Sequence, residues 1–125
     1  MSVKNCAFCK IQSEAVLQND HCYALFDNYP VTEGHMLIIP KRHFAYYFGM
    51  TYEENNAVYK LLEEAKNLLL EKYNDISGFN IGINVGEAAG QTIFHCHIHL
   101  IPRRKGDLEN PRGGVRGVIP ERRNY

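Results

Sequence analysis

Residues 94–101 run Phe94-His95-Cys96-His97-Ile98-His99-Leu100-Ile101, three histidines at alternate positions among apolar neighbours. Successive side chains of a β-strand point to opposite faces, so this spacing predicts a strand with Phe94, Cys96, Ile98 and Leu100 on one face and His95, His97 and His99 on the other. Pro102, which has no N–H to give a ladder, is expected to end it.

Three imidazoles on one face have four readings. As core residues, each buried nitrogen would need a partner. As an exposed polar face they would do nothing specific. As ligands of one metal they would need distortion, because the outer two lie roughly 13 Å apart along a strand while zinc–nitrogen bonds are about 2.0–2.1 Å. The fourth reading is catalysis. Neutral imidazole, with a pKa near ~6.5, keeps a free lone pair at pH 7. Attack on phosphorus gives a phosphoramidate and splits one hard displacement into two easier ones. The middle residue, His97, has a neighbour on each side to hold its tautomer and bring positive charge to a phosphate.

Working outward, Gly86-Glu87-Ala88-Ala89-Gly90-Gln91-Thr92 leads into the histidines. Small residues let backbone N–H groups approach phosphate oxygens, although Gln91 stands where a Walker A loop carries lysine. Residues 79–85 alternate as a second strand, with Asn80, Gly82 and Asn84 on one face. Upstream, Thr51 and Glu54 form a capping box. Val58, Leu61, Leu62, Ala65, Leu68 and Leu69 then recur at helical spacing to about Asn74. A short helix is expected within 41–50, and strands at 22–26 and 35–39 flank the turn-rich DNYPVTEG. The order predicts an α+β domain, an antiparallel sheet with helices on one face.

Gly90-Gln91-Thr92 followed by His95-x-His97-x-His99, with Asp27–Pro30 and Gly34-His35-x-Leu37-Ile38-Ile39-Pro40 upstream, resembles the histidine-triad superfamily over nearly the whole chain. HIHLIPRRKGD resembles the fragile-histidine-triad branch more than the nucleoside phosphoramidase branch. The resemblance implies a five-stranded sheet with one long helix, extended across a homodimer. It implies His97 as nucleophile, His99 and His35 holding or charging the phosphate pocket, and Gln91, Thr92 and Gly90 at the phosphate. Asp27 would take the ribose hydroxyls, Asn84 has a polar role, and Phe26, Leu25 and Ile38 are candidates for the base pocket.

Cys6-x-x-Cys9 is either a dithiol, which usually opens a helix after a strand, or half a zinc site. Nothing before Cys6 can form that strand. Some histidine-triad proteins and the related uridylyltransferases carry such a pair, and the resemblance supplies His43 and His95 as the other two zinc ligands. That zinc would be structural, and Mg2+ would enter with a polyphosphate, since no acidic cage is legible.

The 125 residues are read as one domain, with a metal-binding N-terminus at 1–10 and a basic tail at 103–125. Composition is 45% hydrophobic and 22% charged, ordinary for a soluble globular chain. No export signal or membrane-length apolar run is present, so a cytoplasmic location without disulfides is expected. The tail carries +4, leaving −4 for residues 1–102, which argues against nucleic acid as partner. Its arginines, especially Arg103, Arg104, Arg112 and Arg116, would meet a polyphosphate. The function read is hydrolysis of a dinucleoside polyphosphate, diadenosine above others, at the α-phosphate through nucleotidyl-His97. The alternatives are an adenosine phosphoramidase and a nucleotide-binding sensor with little turnover.

Overall fold

The computed structural model describes residues 3–125; Met1 and Ser2, the start of the expected metal-binding N-terminus, lie outside the described residues. Five strands form one antiparallel sheet: β1 (Leu17–Gln18), β2 (Cys22–Phe26), β3 (Met36–Pro40), β4 (Gly78–Gly82) and β5 (Ile98–Arg103), in the order β1-β2-β3-β5-β4. A four-residue helix, α1 (Ala7–Lys10), precedes them, and the long helix α2 (Tyr52–Lys72) joins β3 to β4.

α2 starts where the capping box places it. The Glu54 backbone N–H donates to the Thr51 hydroxyl, and the Glu54 carboxylate accepts from the Thr51 N–H. The same carboxylate takes two bonds from the Arg42 guanidinium, at 2.8 and 3.0 Å. Ala57, Val58, Leu61, Ala65 and Leu69 of α2 are buried against Cys22, Ala24, Met36, Ile38, Ile98 and Leu100. The opposite face buries Tyr23, Leu25, Leu37 and Ile39 beneath Cys6 and Phe8 of the N-terminal segment. This two-sided cover explains why β3 is buried at every position and reads as a continuous apolar run. Gly34, at φ +94°, turns the chain into β3, where a Cβ would meet Tyr73 at 3.0 Å and Leu69 at 3.1 Å.

Three boundaries differ from expectation for backbone reasons. The histidine strand begins at Ile98, not Phe94. In the β3–β5 register Ile38 opposes Ile98, so beyond Ile39 and His97 the next pair to exchange hydrogen bonds would be Pro40 with Cys96. Pro40 has no N–H to continue the ladder, and the Cys96 N–H turns to the Phe44 carbonyl instead, at 2.8 Å. At the other end β5 runs through Pro102 to Arg103. Pro102 faces the side that β3 has already left, where its carbonyl accepts from the Thr32 hydroxyl at 2.6 Å. Residues 41–50 hold only a 3-10 turn, Tyr47–Gly49. The Phe44 and Ala45 carbonyls accept from Cys96 and Gln91, so they are unavailable to a helix. β4 is also shorter than the alternation suggested, ending at Gly82, and β1 was not anticipated.

Candidate active site and metal centre

Cys6, Cys9, His43 and His95 converge so that one ligand atom from each lies within 4.8 Å of every other. His95 Nδ1 is 3.3 Å from Cys6 Sγ, 3.5 Å from Cys9 Sγ and 3.2 Å from His43 Nδ1, and Cys9 Sγ is 3.4 Å from His43 Nδ1. Tetrahedral zinc, with bonds of about 2.3 Å to sulfur and about 2.0–2.1 Å to nitrogen, sets neighbouring ligand atoms roughly 3.3–3.8 Å apart. The four residues therefore fit such an ion. His95 Nε2 donates to the Pro40 carbonyl at 2.7 Å, which leaves its Nδ1 lone pair for the metal. Burial, and then the neighbouring Cys6, push the Cys9 thiol up, so binding a cation would release its proton.

His97 points elsewhere. Its Nδ1 lies 2.8 Å from the His95 carbonyl, an acceptor only, so Nδ1 carries the proton and Nε2 keeps its lone pair. His99 has the opposite tautomer. The Val31 N–H donates to His35 Nδ1 at 3.0 Å, which places the His35 proton on Nε2. That proton is given to His99 Nδ1 at 2.9 Å, so His99 carries its own on Nε2. Asp27 Oδ2 lies 3.5 Å from His35 Nε2. Asp27, His35 and His99 also form a cluster compact enough for a cation, but the Val31 N–H already occupies the Nδ1 lone pair of His35 and a proton sits on its Nε2. The cluster is thus a proton-ordered chain.

Burial lowers the pKa of His35, His97 and His99, and Asp27 partly opposes it in each. For His99 the rings of His97 and His35 add to burial, and it is pushed down to about 4. In the free protein these imidazoles are neutral donors and acceptors rather than the fixed positive charges that "charging" the pocket would require.

The loop before the histidines is held from within. Gly86 and Gly90 both adopt φ 92°. Gln91 is buried, its amide nitrogen donating to the Ala45 and Ile93 carbonyls and its Oε1 accepting from the Gly86 N–H. Gln91 thus staples the loop with both of its amide atoms, while Thr92 and Gly90 are exposed. Asn84 joins His35 and His99 around a cavity of about 680 Å³ whose other walls include Ile81, Ile83 and Val115.

Of the three residues expected at a base pocket, only Leu25 lies on the histidine side, buried with Phe8 and Leu37. Ile38 is enclosed beneath α2 and Phe26 packs against that same core, because residues at even positions of β2 and β3 face the helix. Phe8 was missed by sequence reasoning. Its ring lies 4.9 Å from the His97 ring, and it is the sole aromatic residue among the first twenty. The tail arginines have partners of their own. Arg103 is held by Asp107 and Asn80, and Arg104 by Asp75 and the Glu33 carbonyl. Arg112 and Arg116 lie over the Tyr125 ring at 4.7 and 4.8 Å. Among the described residues, no helix is long and apolar enough to cross a membrane.

The HIT domain family model matches residues 9–106, and the chain belongs to that family. A solved relative, a zinc-bound histidine triad family protein from Mycobacterium smegmatis, is 32% identical with a TM-score of 0.77, covering 87% of this chain and 82% of its own. Bis(5'-adenosyl)-triphosphatase from Dictyostelium discoideum is 36% identical over 79% of this chain and 66% of that protein. Adenylylsulfatase HINT3 from Arabidopsis thaliana is 37% identical over 82% of this chain and 54% of that protein.

The lowered pKa of His99 makes a pH prediction. The unfolded imidazole titrates near ~6.5, and the folded one at about 4. Between these values the unfolded chain binds more protons, so stability contributed by His99 is complete above the unfolded value and is lost as pH falls toward the folded one. Urea unfolding across this acid range is expected to show a smaller pH slope for His99→Asn than for wild type. Equal slopes would contradict the assignment.

Proposed function

We propose that the protein hydrolyses a nucleotide at its α-phosphate through a covalent bond to His97, with a dinucleoside polyphosphate, diadenosine in particular, as substrate. The observation that carries the reading is the His97 tautomer: its Nδ1–H is engaged by the His95 carbonyl and its Nε2 is free. Nε2 attacks phosphorus, a P–N bond forms, and the bond to the leaving oxygen breaks with its electron pair on that oxygen. The His95 carbonyl accepts from Nδ1 while the ring bears positive charge. The Nε2–H of His99 is a donor for a phosphate oxygen. Water then attacks phosphorus, losing a proton to the solvent, and the P–N electron pair returns to Nε2. Asp27 is assigned to the ribose hydroxyls, and the apolar surface of Leu25 and Leu37 to the base. Of the Gly86–Thr92 loop, the backbone N–H groups of Glu87 and Ala88, which the loop's own hydrogen bonds do not use, are assigned to phosphate. That Dictyostelium discoideum bis(5'-adenosyl)-triphosphatase is a relative supports the substrate class.

One observation favours a second reading, phosphoramidate cleavage. Arg103 and Arg104 are already paired, and the cavity beside His99 is largely apolar, which suits a leaving group smaller and less charged than a polyphosphate. Turnover of diadenosine triphosphate, diadenosine tetraphosphate and adenosine phosphoramidate by wild type and His97→Ala tests both. Release of AMP from a dinucleotide, abolished by the substitution, is expected. Preference for the phosphoramidate selects the second reading, and turnover that survives in His97→Ala refutes both.

The zinc assigned to Cys6, Cys9, His43 and His95 is structural, because four protein ligands leave no open position. Elemental analysis is expected to find one zinc per chain, with chelation lowering Tm in wild type and not in Cys6→Ser/Cys9→Ser. A metal-free, chelator-insensitive wild type would rule it out. The protein is also assigned as a homodimer. Supporting this, a groove between α2 and the unpaired edge of β4 exposes Tyr52, Tyr59 and Ile81. Light scattering should give twice the 14.4 kDa chain mass; a monomeric mass would reject it.

A further inference from the structure

His97 is held at Nδ1 by a single hydrogen bond. The χ2 torsion of histidine is broad and roughly two-fold, so one bond does not by itself prevent the ring from turning. A flipped ring would lose the His95 carbonyl and misdirect Nε2. Something else must hold the plane.

Two rings pack on it. His99 lies 5.2 Å away at 62°, and Phe8 lies closer, at 4.9 Å and 68°. Phe8 also meets His95 at 6.1 Å and 86°, so it touches both the nucleophile and a residue of the metal cluster. Its own place is defined by the knuckle that carries it. Phe8 lies between Cys6 and Cys9 on α1, a helix of four residues, too short to be stable alone. Its carbonyl accepts from the buried Tyr23 hydroxyl of β2, and its side chain is buried against Leu25 and Leu37. A cation gripped by the two cysteines and by His95 would therefore fix, from both ends, the ring that rests on His97.

We infer that Phe8 is a positioning residue for His97, carried to the nucleophile by the Cys6–Cys9 knuckle, so that filling the metal centre orders the ring that attacks phosphorus. This rests on His97 being the nucleophile, as proposed above. A ring that instead contacted the base would predict weaker nucleotide binding and not slower chemistry.

The test compares zinc-loaded wild type, zinc-loaded Phe8→Leu, and wild type stripped of zinc. The first readout is the two-bond proton–nitrogen correlation spectrum of the His97 ring. Wild type is expected to show one tautomer with the proton on Nδ1, and the other two samples an averaged or mixed pattern. The second readout is kinetic. Phe8→Leu is expected to lower kcat about tenfold or more, as misplacement of a reacting group does. Its AMP affinity should stay within about twofold, as it does when only transition-state positioning is lost. An unchanged single tautomer in Phe8→Leu or in stripped wild type overturns the proposal. So does weakened AMP binding at unchanged kcat. Should Phe8→Leu not fold, Phe8→Met, unbranched and apolar, takes its place under the same criteria. The spectrum needs no substrate, so a wild type that turns over no nucleotide would refute the proposed function while the tautomer comparison still decides the role of Phe8.

Discussion

His95 makes three commitments at once, and the rest of the site depends on them. Its Nδ1 faces the cysteines and His43, its Nε2–H is given to the Pro40 carbonyl, and its own carbonyl receives the Nδ1–H of His97. The side chain thus ties the chain to the end of β3 and to the N-terminal knuckle. The main chain sets the tautomer of the neighbour two residues on. The Pro40 bond forces His95 to offer Nδ1 to the cluster, and the His95 carbonyl forces His97 to offer Nε2 to the site.

That division requires the strand to be broken. On a regular strand His95, His97 and His99 would share one face, and the first two would point into the same space. Starting β5 at Ile98 frees residues 94–97 from the ladder, so that His95 turns to the metal cluster while His97 and His99 stay together, 5.2 Å apart. The absence of an N–H on Pro40 is the cause, and that residue lies 56 positions before Cys96 in the sequence. A metal here would take nothing from the proposed phosphate site, because neither His43 nor His95 belongs to the His35, His97 and His99 group.

These features explain what was legible in the sequence. The long helix was legible because a capping box and a 3.6-residue apolar pattern are local signals. The antiparallel sheet and the Cys6, Cys9, His43, His95 cluster were legible too, the cluster through family resemblance rather than spacing. What stayed hidden is tertiary. The break at residues 94–97 depends on the register with β3. The burial of Gln91 depends on the Ala45 carbonyl, which belongs to a segment expected to be a helix. The faces of Phe26 and Ile38 follow from a strand parity that no motif states. Phe8 was concealed by the two cysteines around it, whose chemistry claimed attention first.

The electrostatics follow from the same burial. Imidazoles packed on one another in an apolar enclosure cannot all be charged, and His99, with His97 and His35 as neighbours, is driven furthest down. Neutrality suits the first step of the proposed reaction, which needs a lone pair on His97. An arriving phosphate reverses the balance, since negative charge a few ångströms away raises the pKa of every imidazole around it. In the proposed reaction a bound phosphate would therefore bring positive character to the Asp27–His35–His99 chain without help from the tail arginines. Charge that appeared only with such a substrate would not attract polyanions indiscriminately.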